Sequence, residues 1–123
     1  MLILTNNPKV QKESPKDKEV VYKDCTYVEI LKEGRDLIHK GYELLSHPLY
    51  SSVKPNETPY RTIILKNNHN VDMNSILLIE EAINTSTKFQ ANKKTPNWTP
   101  QILDDFQTID YDIINKTIDR ILY

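Results

Sequence analysis

The chain has 123 residues, 38% of them hydrophobic and 27% charged, a composition that suits one soluble globular domain able to bury a core without staples. Sixteen Lys and Arg nearly cancel seventeen Asp and Glu, leaving a formal net charge of -1. Whole-molecule attraction to nucleic acid or to an anionic membrane is therefore unsupported, because that attraction grows with net positive charge.

The first element in chain order is Leu2 to Thr5, an apolar run ended by the turn formers Asn6, Asn7 and Pro8, which reads as a fully buried strand. The charged stretch from Pro8 to Glu19 holds Pro8 and Pro15; it has room for one helical turn capped by Asn7 and otherwise reads as a solvated connection. Glu19 to Lys23, rich in β-branched and aromatic residues, predicts a second strand. Thr26 with Glu29 three residues on predicts a capping box, and Val28, Ile30, Leu31, Leu37 and Ile38 follow at helical spacing until Gly41. Tyr42 to Ser46 and Arg61 to Lys66 predict two more strands. Asp72 caps an expected helix from Met73 to about Gln90, with Ile76, Ile79, Ala82 and Ile83 on its inner face. Thr99 and Pro100 open a last helix with Ile102, Phe106, Ile109, Ile113 and Ile118 inward and a kink expected between Thr108 and Asp110. The expectation is one α/β domain over residues 1–123: a small mixed sheet of about four strands packed with helices, two of them C-terminal.

Several chemistries are unsupported. Only two glycines occur, so neither a dinucleotide-binding nor a P-loop phosphate loop is present. The single cysteine, Cys25, has no intramolecular disulfide partner, and no Cys/His set has zinc-ligand spacing, so no metal is expected. Cys25 precedes a helix, where a thiol pKa falls, but no base can be named beside it; it reads as a small apolar filler. Glu80 with Glu81 and Asp104 with Asp105 read as solvated faces, since adjacent helical residues diverge. His39 and His69 read as surface residues. Four residues before the first polar group are too few for a signal-peptide core, and no run approaches membrane-spanning length; a cytoplasmic protein is expected.

The informative stretch is SHPLYSSVKPNETPYR, Ser46 to Arg61. Lys54 and Arg61 bring charge, Ser51, Ser52 and Thr58 bring hydroxyls, and Asn56 both donates and accepts. Pro48, Pro55 and Pro59 fix φ at three points and lower the entropy lost on binding. If the first and third strands were parallel neighbours, Asn6 and Asn7 would face His47 and the two serines, in the crevice where open α/β sheets bind ligands. The candidate ligand-binding set is thus Asn6, Asn7, His47, Ser51, Ser52, Lys54, Asn56, Thr58 and Arg61, holding a small anionic or polar ligand, with His47 as the candidate acid/base. Each residue alone has a structural reading too: Pro55 to Pro59 is turn chemistry, and His47 can simply bond the loop backbone. Trp98 between Pro96 and Pro100 either pins its linker or marks a subunit contact, which leaves a homo-oligomer open.

Three stretches, ILTNNP, GRDLIHKGYELLSHPLYSSVKPNETPYRTIIL and FQTIDYDII, resemble the GrdX family across nearly the whole chain. That family often has glycine at the position of Ser51, so the loop here is less permissive there. The resemblance implies an accessory protein of the glycine, sarcosine and betaine reductase systems of amino-acid-fermenting anaerobes, with reductase components as partners. It supplies no catalytic assignments, and it leaves the cofactor unknown. Three functions follow as expectations: a binding protein acting through residues 47–61, a small enzyme using His47 with Lys54 and Arg61 as anion stabilisers, or an assembly factor without a small-molecule site.

Overall fold

The computed structural model describes residues 1–50 and 53–122. It contains β1 (Leu2–Thr5), α1 (Pro8–Glu13), β2 (Glu19–Tyr22), α2 (Tyr27–His39), β3 (Tyr42–Leu44), β4 (Thr62–Asn67), α3 (Met73–Asn92) and α4 (Pro100–Leu122). The sheet order is β2-β1-β4-β3, with β1 and β2 parallel and β4 antiparallel to both β1 and β3. This is the expected four-stranded mixed sheet with two C-terminal helices.

Both faces of the sheet are covered, which is why β1 and the start of β4 are continuous apolar runs. Leu2, Leu4, Ile63 and Leu65 pack with Ile30, Leu31 and Ile38 of α2 and Ile79 and Ala82 of α3. The alternate residues Ile3 and Ile64 point the other way, to Val10 of α1 and Ile114 and Ile118 of α4. Gly34 allows α2 to lie flat on the sheet: a Cβ there would meet Ile63 Cδ1 at 2.5 Å.

Local chemistry sets the element ends. Thr26 and Glu29 form both halves of the capping box, at 3.2 and 3.0 Å. Gly41 takes φ 106 directly after α2. Asp72 Oδ2 accepts from the backbone N–H and the hydroxyl of Ser75, at 3.0 and 2.6 Å. Ser75 Oγ in turn accepts from Leu44 N–H at 2.9 Å, pairing a backbone donor on the edge strand β3.

Four expectations need correction. Asn7 caps α1 as expected, but the helix runs six residues and fully buries Val10 where a mainly solvated connection was expected. β1 and β3 are not neighbours: β4 lies between them, its buried Ile63, Ile64 and Leu65 sharing the sheet centre with β1. α4 runs unbroken from Pro100 to Leu122; Thr108 only back-bonds to Asp104 O at 3.0 Å. Its buried row is Asp110, Ile114 and Ile118, while Ile102, Phe106, Ile109 and Ile113 are only half-buried.

Candidate functional site

Where β1 ends and β4 begins, Thr5 and Thr62 face each other across the antiparallel pair. Thr62 donates its hydroxyl to Asp110 Oδ2 at 2.6 Å, so the 2.7 Å bond between the two threonines has Thr5 as donor. Asn7 N–H donates to Thr5 Oγ1 at 2.9 Å, completing a directed relay into Asp110. Asn7 is fully buried; its Oδ1 caps α1 at Lys9 N, while Nδ2 donates to Asp110 Oδ2 at 2.9 Å and Gln107 O at 3.0 Å. Asn6 joins three segments: Oδ1 accepts from Arg61 N–H at 2.7 Å, and Nδ2 donates to Cys25 O and Pro59 O, both at 2.9 Å.

Arg61 is the charged centre of this end of the molecule, only 2% exposed. Its guanidinium donates through Nη2 to Asp110 Oδ1 at 3.3 Å and through Nη1 to Tyr50 O at 3.0 Å. The Cζ also lies 6.0 Å from the centroid of the Tyr27 ring. Arg61 Nε–H and Tyr27 hydroxyl have no hydrogen-bond partner among the described residues. Burial holds the Tyr27 hydroxyl above its ordinary pKa, against the opposing pull of the Arg61 guanidinium.

Arg61 lines a hollow of about 300 Å³ between the loop and α4, shared with His47, Tyr50, Thr117 and Arg120. Tyr50 holds both arginines: its carbonyl accepts from Arg61, and its ring lies 5.6 Å from Arg120 Cζ. No carboxylate lines this hollow among the described residues; Asp110 sits behind Arg61. His47 is exposed at the rim, with Nδ1 accepting from Leu49 N–H at 3.1 Å, which leaves the proton of the neutral ring on Nε2.

The candidate residues therefore divide into three groups. Asn6, Asn7 and Arg61 meet in the polar cluster, and His47 stands at the hollow beside Arg61. Thr58 is buried and accepts from Tyr60 N–H at 3.2 Å, shaping the loop. Lys54 and Asn56 face a different hollow, near Lys93 and Trp98. There Asn56 Nδ2 donates to Lys93 O at 3.0 Å, Trp98 Nε1 donates to Glu57 O at 2.7 Å, and the Trp98 ring packs on Phe106. Ser51 and Ser52 lie outside the described residues. The loop is split because its turn at Lys54 to Thr58 is drawn toward the α3–α4 linker while its two ends stay near β4.

Asp110, Tyr50, Arg120 and Tyr27 escaped the sequence reading. A signal for Asp110 existed: it stands four and eight residues before Ile114 and Ile118, a carboxylate in register with a buried row. Cys25 departs from the low-pKa option, since burial first, then Glu29, Glu33 and Asp24, push its thiol up. Among the described residues no three His, Cys, Asp or Glu side chains group as metal ligands, and no helix is long and apolar enough to cross a membrane.

The chain matches the family model described as GrdX-like protein over residues 2–119. It belongs to the GrdX family. No curated protein and no solved structure matches the chain. Within the family match lie every strand of the sheet and the Arg61–Asp110 cluster, while Arg120, on the far wall of the hollow, stands one residue beyond it.

Proposed function

We propose that this member of the GrdX family is an accessory binding protein of the glycine, sarcosine and betaine reductase system, and that it holds a small anion in the hollow between residues 47–61 and α4. The observation that carries this reading is the pairing of Arg61 and Arg120 around Tyr50 in a hollow lined by no carboxylate among the described residues. Among the described residues only Asp110, behind Arg61, forms an ion pair with either guanidinium group. An anion entering the hollow would meet the positive charge of Arg120 and of the Arg61 guanidinium. The volume, about 300 Å³, suits a carboxylate or phosphate compound of a few heavy atoms. Binding is favoured over catalysis because no second reactive side chain is hydrogen-bonded to His47 among the described residues.

Isothermal titration with acetyl phosphate, inorganic phosphate, acetate and glycine tests the reading. Saturable binding of at least one anion is expected. Arg120→Gln should weaken it about tenfold, the loss of one charge-assisted contact of about 1.5 kcal/mol. Lys54→Ala, on the other hollow, should change it less than about twofold. Undiminished binding by Arg120→Gln would overturn the assignment.

A further inference from the structure

A larger hollow plays no part in that reading. It is a groove of about 1040 Å³ beyond the carboxyl ends of the parallel strands β1 and β2, between the first turn of α2 and the last turns of α3. Ligands of open α/β sheets bind at such a place. Three tyrosines line it: Tyr22 at the end of β2, Tyr27 at the start of α2, and Tyr60 from the loop. The Tyr60 hydroxyl accepts from Gln107 Nε2 at 2.9 Å, so that ring is anchored from behind.

The charges on the walls are Asp24 and Glu29 against Lys94 alone. Asp24 is exposed and has no ion-pair partner among the described residues. The Cys25 thiol, on the same wall, is pushed up by burial and then by Glu29, Glu33 and Asp24, with Lys23 opposing. Tyr22 is likewise raised, by burial first and Asp24 next, so its ring stays neutral at pH 7. The far wall carries Gln90 and Ala91 in the last turn of α3, the negative end of a helix dipole. The positive end of α2 faces the groove too, but its first turn is already occupied by the Thr26–Glu29 capping box, which sets a carboxylate in front of it.

We propose that this groove binds a small organic cation, with an alkylammonium group held between the faces of Tyr22 and Tyr60 and balanced by Asp24. Ring faces carry the negative lobe of the aromatic quadrupole, and an alkylated cation is weakly hydrated, so little solvation is lost on entry. An anion would meet two carboxylates against one lysine. A bare metal ion would lack the three grouped ligands it needs among the described residues.

The test is a heteronuclear NMR titration of the full chain with tetramethylammonium chloride, and with tert-butanol as a neutral compound of similar shape. Saturable shifts at the amides of Tyr22, Asp24 and Tyr60 are expected, with tert-butanol at least tenfold weaker. Asp24→Asn should lose at least fivefold and Tyr22→Leu at least tenfold, while Tyr22→Phe, which keeps the ring, should stay within threefold. Asp24 is exposed, so Asp24→Asn decides the matter even if a Tyr22 variant misfolds. Equal binding of the neutral compound, or undiminished cation binding by Asp24→Asn, would overturn the proposal. Acetyl phosphate is expected at His47 and Arg120 and the cation at Tyr22 and Asp24, so either site can fail without the other.

Discussion

Asp110 accepts from Arg61, Thr62 and Asn7 while only 5% exposed, so one carboxylate satisfies three donors from two chain segments. A buried pair of this kind contributes modestly as a unit, but losing one partner strands the other charge. Asp110→Ala should therefore cost about 3–5 kcal/mol in urea denaturation; a loss below about 1 kcal/mol would mean that Arg61 finds water or another acceptor. Tyr27→Phe makes the opposite prediction. The hydroxyl is buried with no close hydrogen bond among the described residues and only the nearby Arg61 guanidinium to attract it, so deleting it should leave the melting temperature nearly unchanged. A drop of several degrees would show that the hydroxyl has a partner in solution. At this scale the sequence showed Arg61 as a charge at the loop's end, leading into a buried strand, but not its burial against Asp110. Asp110 was obscured by its surroundings, since Asp104, Asp105 and Asp112 on the same helix are exposed and nothing local marks the one that faces inward.

Helix ends were the most legible elements because their chemistry is local. Thr26 with Glu29, Asp72 with Ser75, and Thr99 with Ile102 N–H each close a bond within three residues, so the residue types alone announce them. The inward face of α4 was less legible because it depends on what the helix meets: isoleucine recurs on more than one side, and only the sheet decides that Ile114 and Ile118 are buried. The capping box gives a pH-dependent prediction. Hydrogen bonds from the Thr26 backbone and side chain hold the Glu29 carboxyl below its ordinary range. A depressed carboxyl stabilises the fold above its unfolded pKa, about 4.3, and loses that contribution as pH falls through the folded value. Glu29→Gln should thus melt below the parent at pH 7 and converge with it as the pH drops below about 4. A gap that persists or widens in acid would contradict the box as the source.

At the scale of the whole molecule, sheet order decides which candidates meet. The alternation of strands and helices gave the fold class, but strand order depends on pairings far apart in sequence. Placing β4 beside β1 brings Arg61 against Asn6 and Asn7, and places His47 across a hollow from Arg120, a residue near the other end of the chain. The same topology carries Lys54 and Asn56 to the α3–α4 linker, a separation that no spacing within the loop could reveal. The proposed anion site, the Arg61–Arg120 hollow, exists only because of this topology. A heteronuclear NMR titration with inorganic phosphate tests it most directly. Saturable shifts concentrated at His47, Tyr50, Thr117 and Arg120, weakened as salt is raised, are expected. Shifts centred on Lys54, Asn56 and Lys93, or none that saturate, would contradict it.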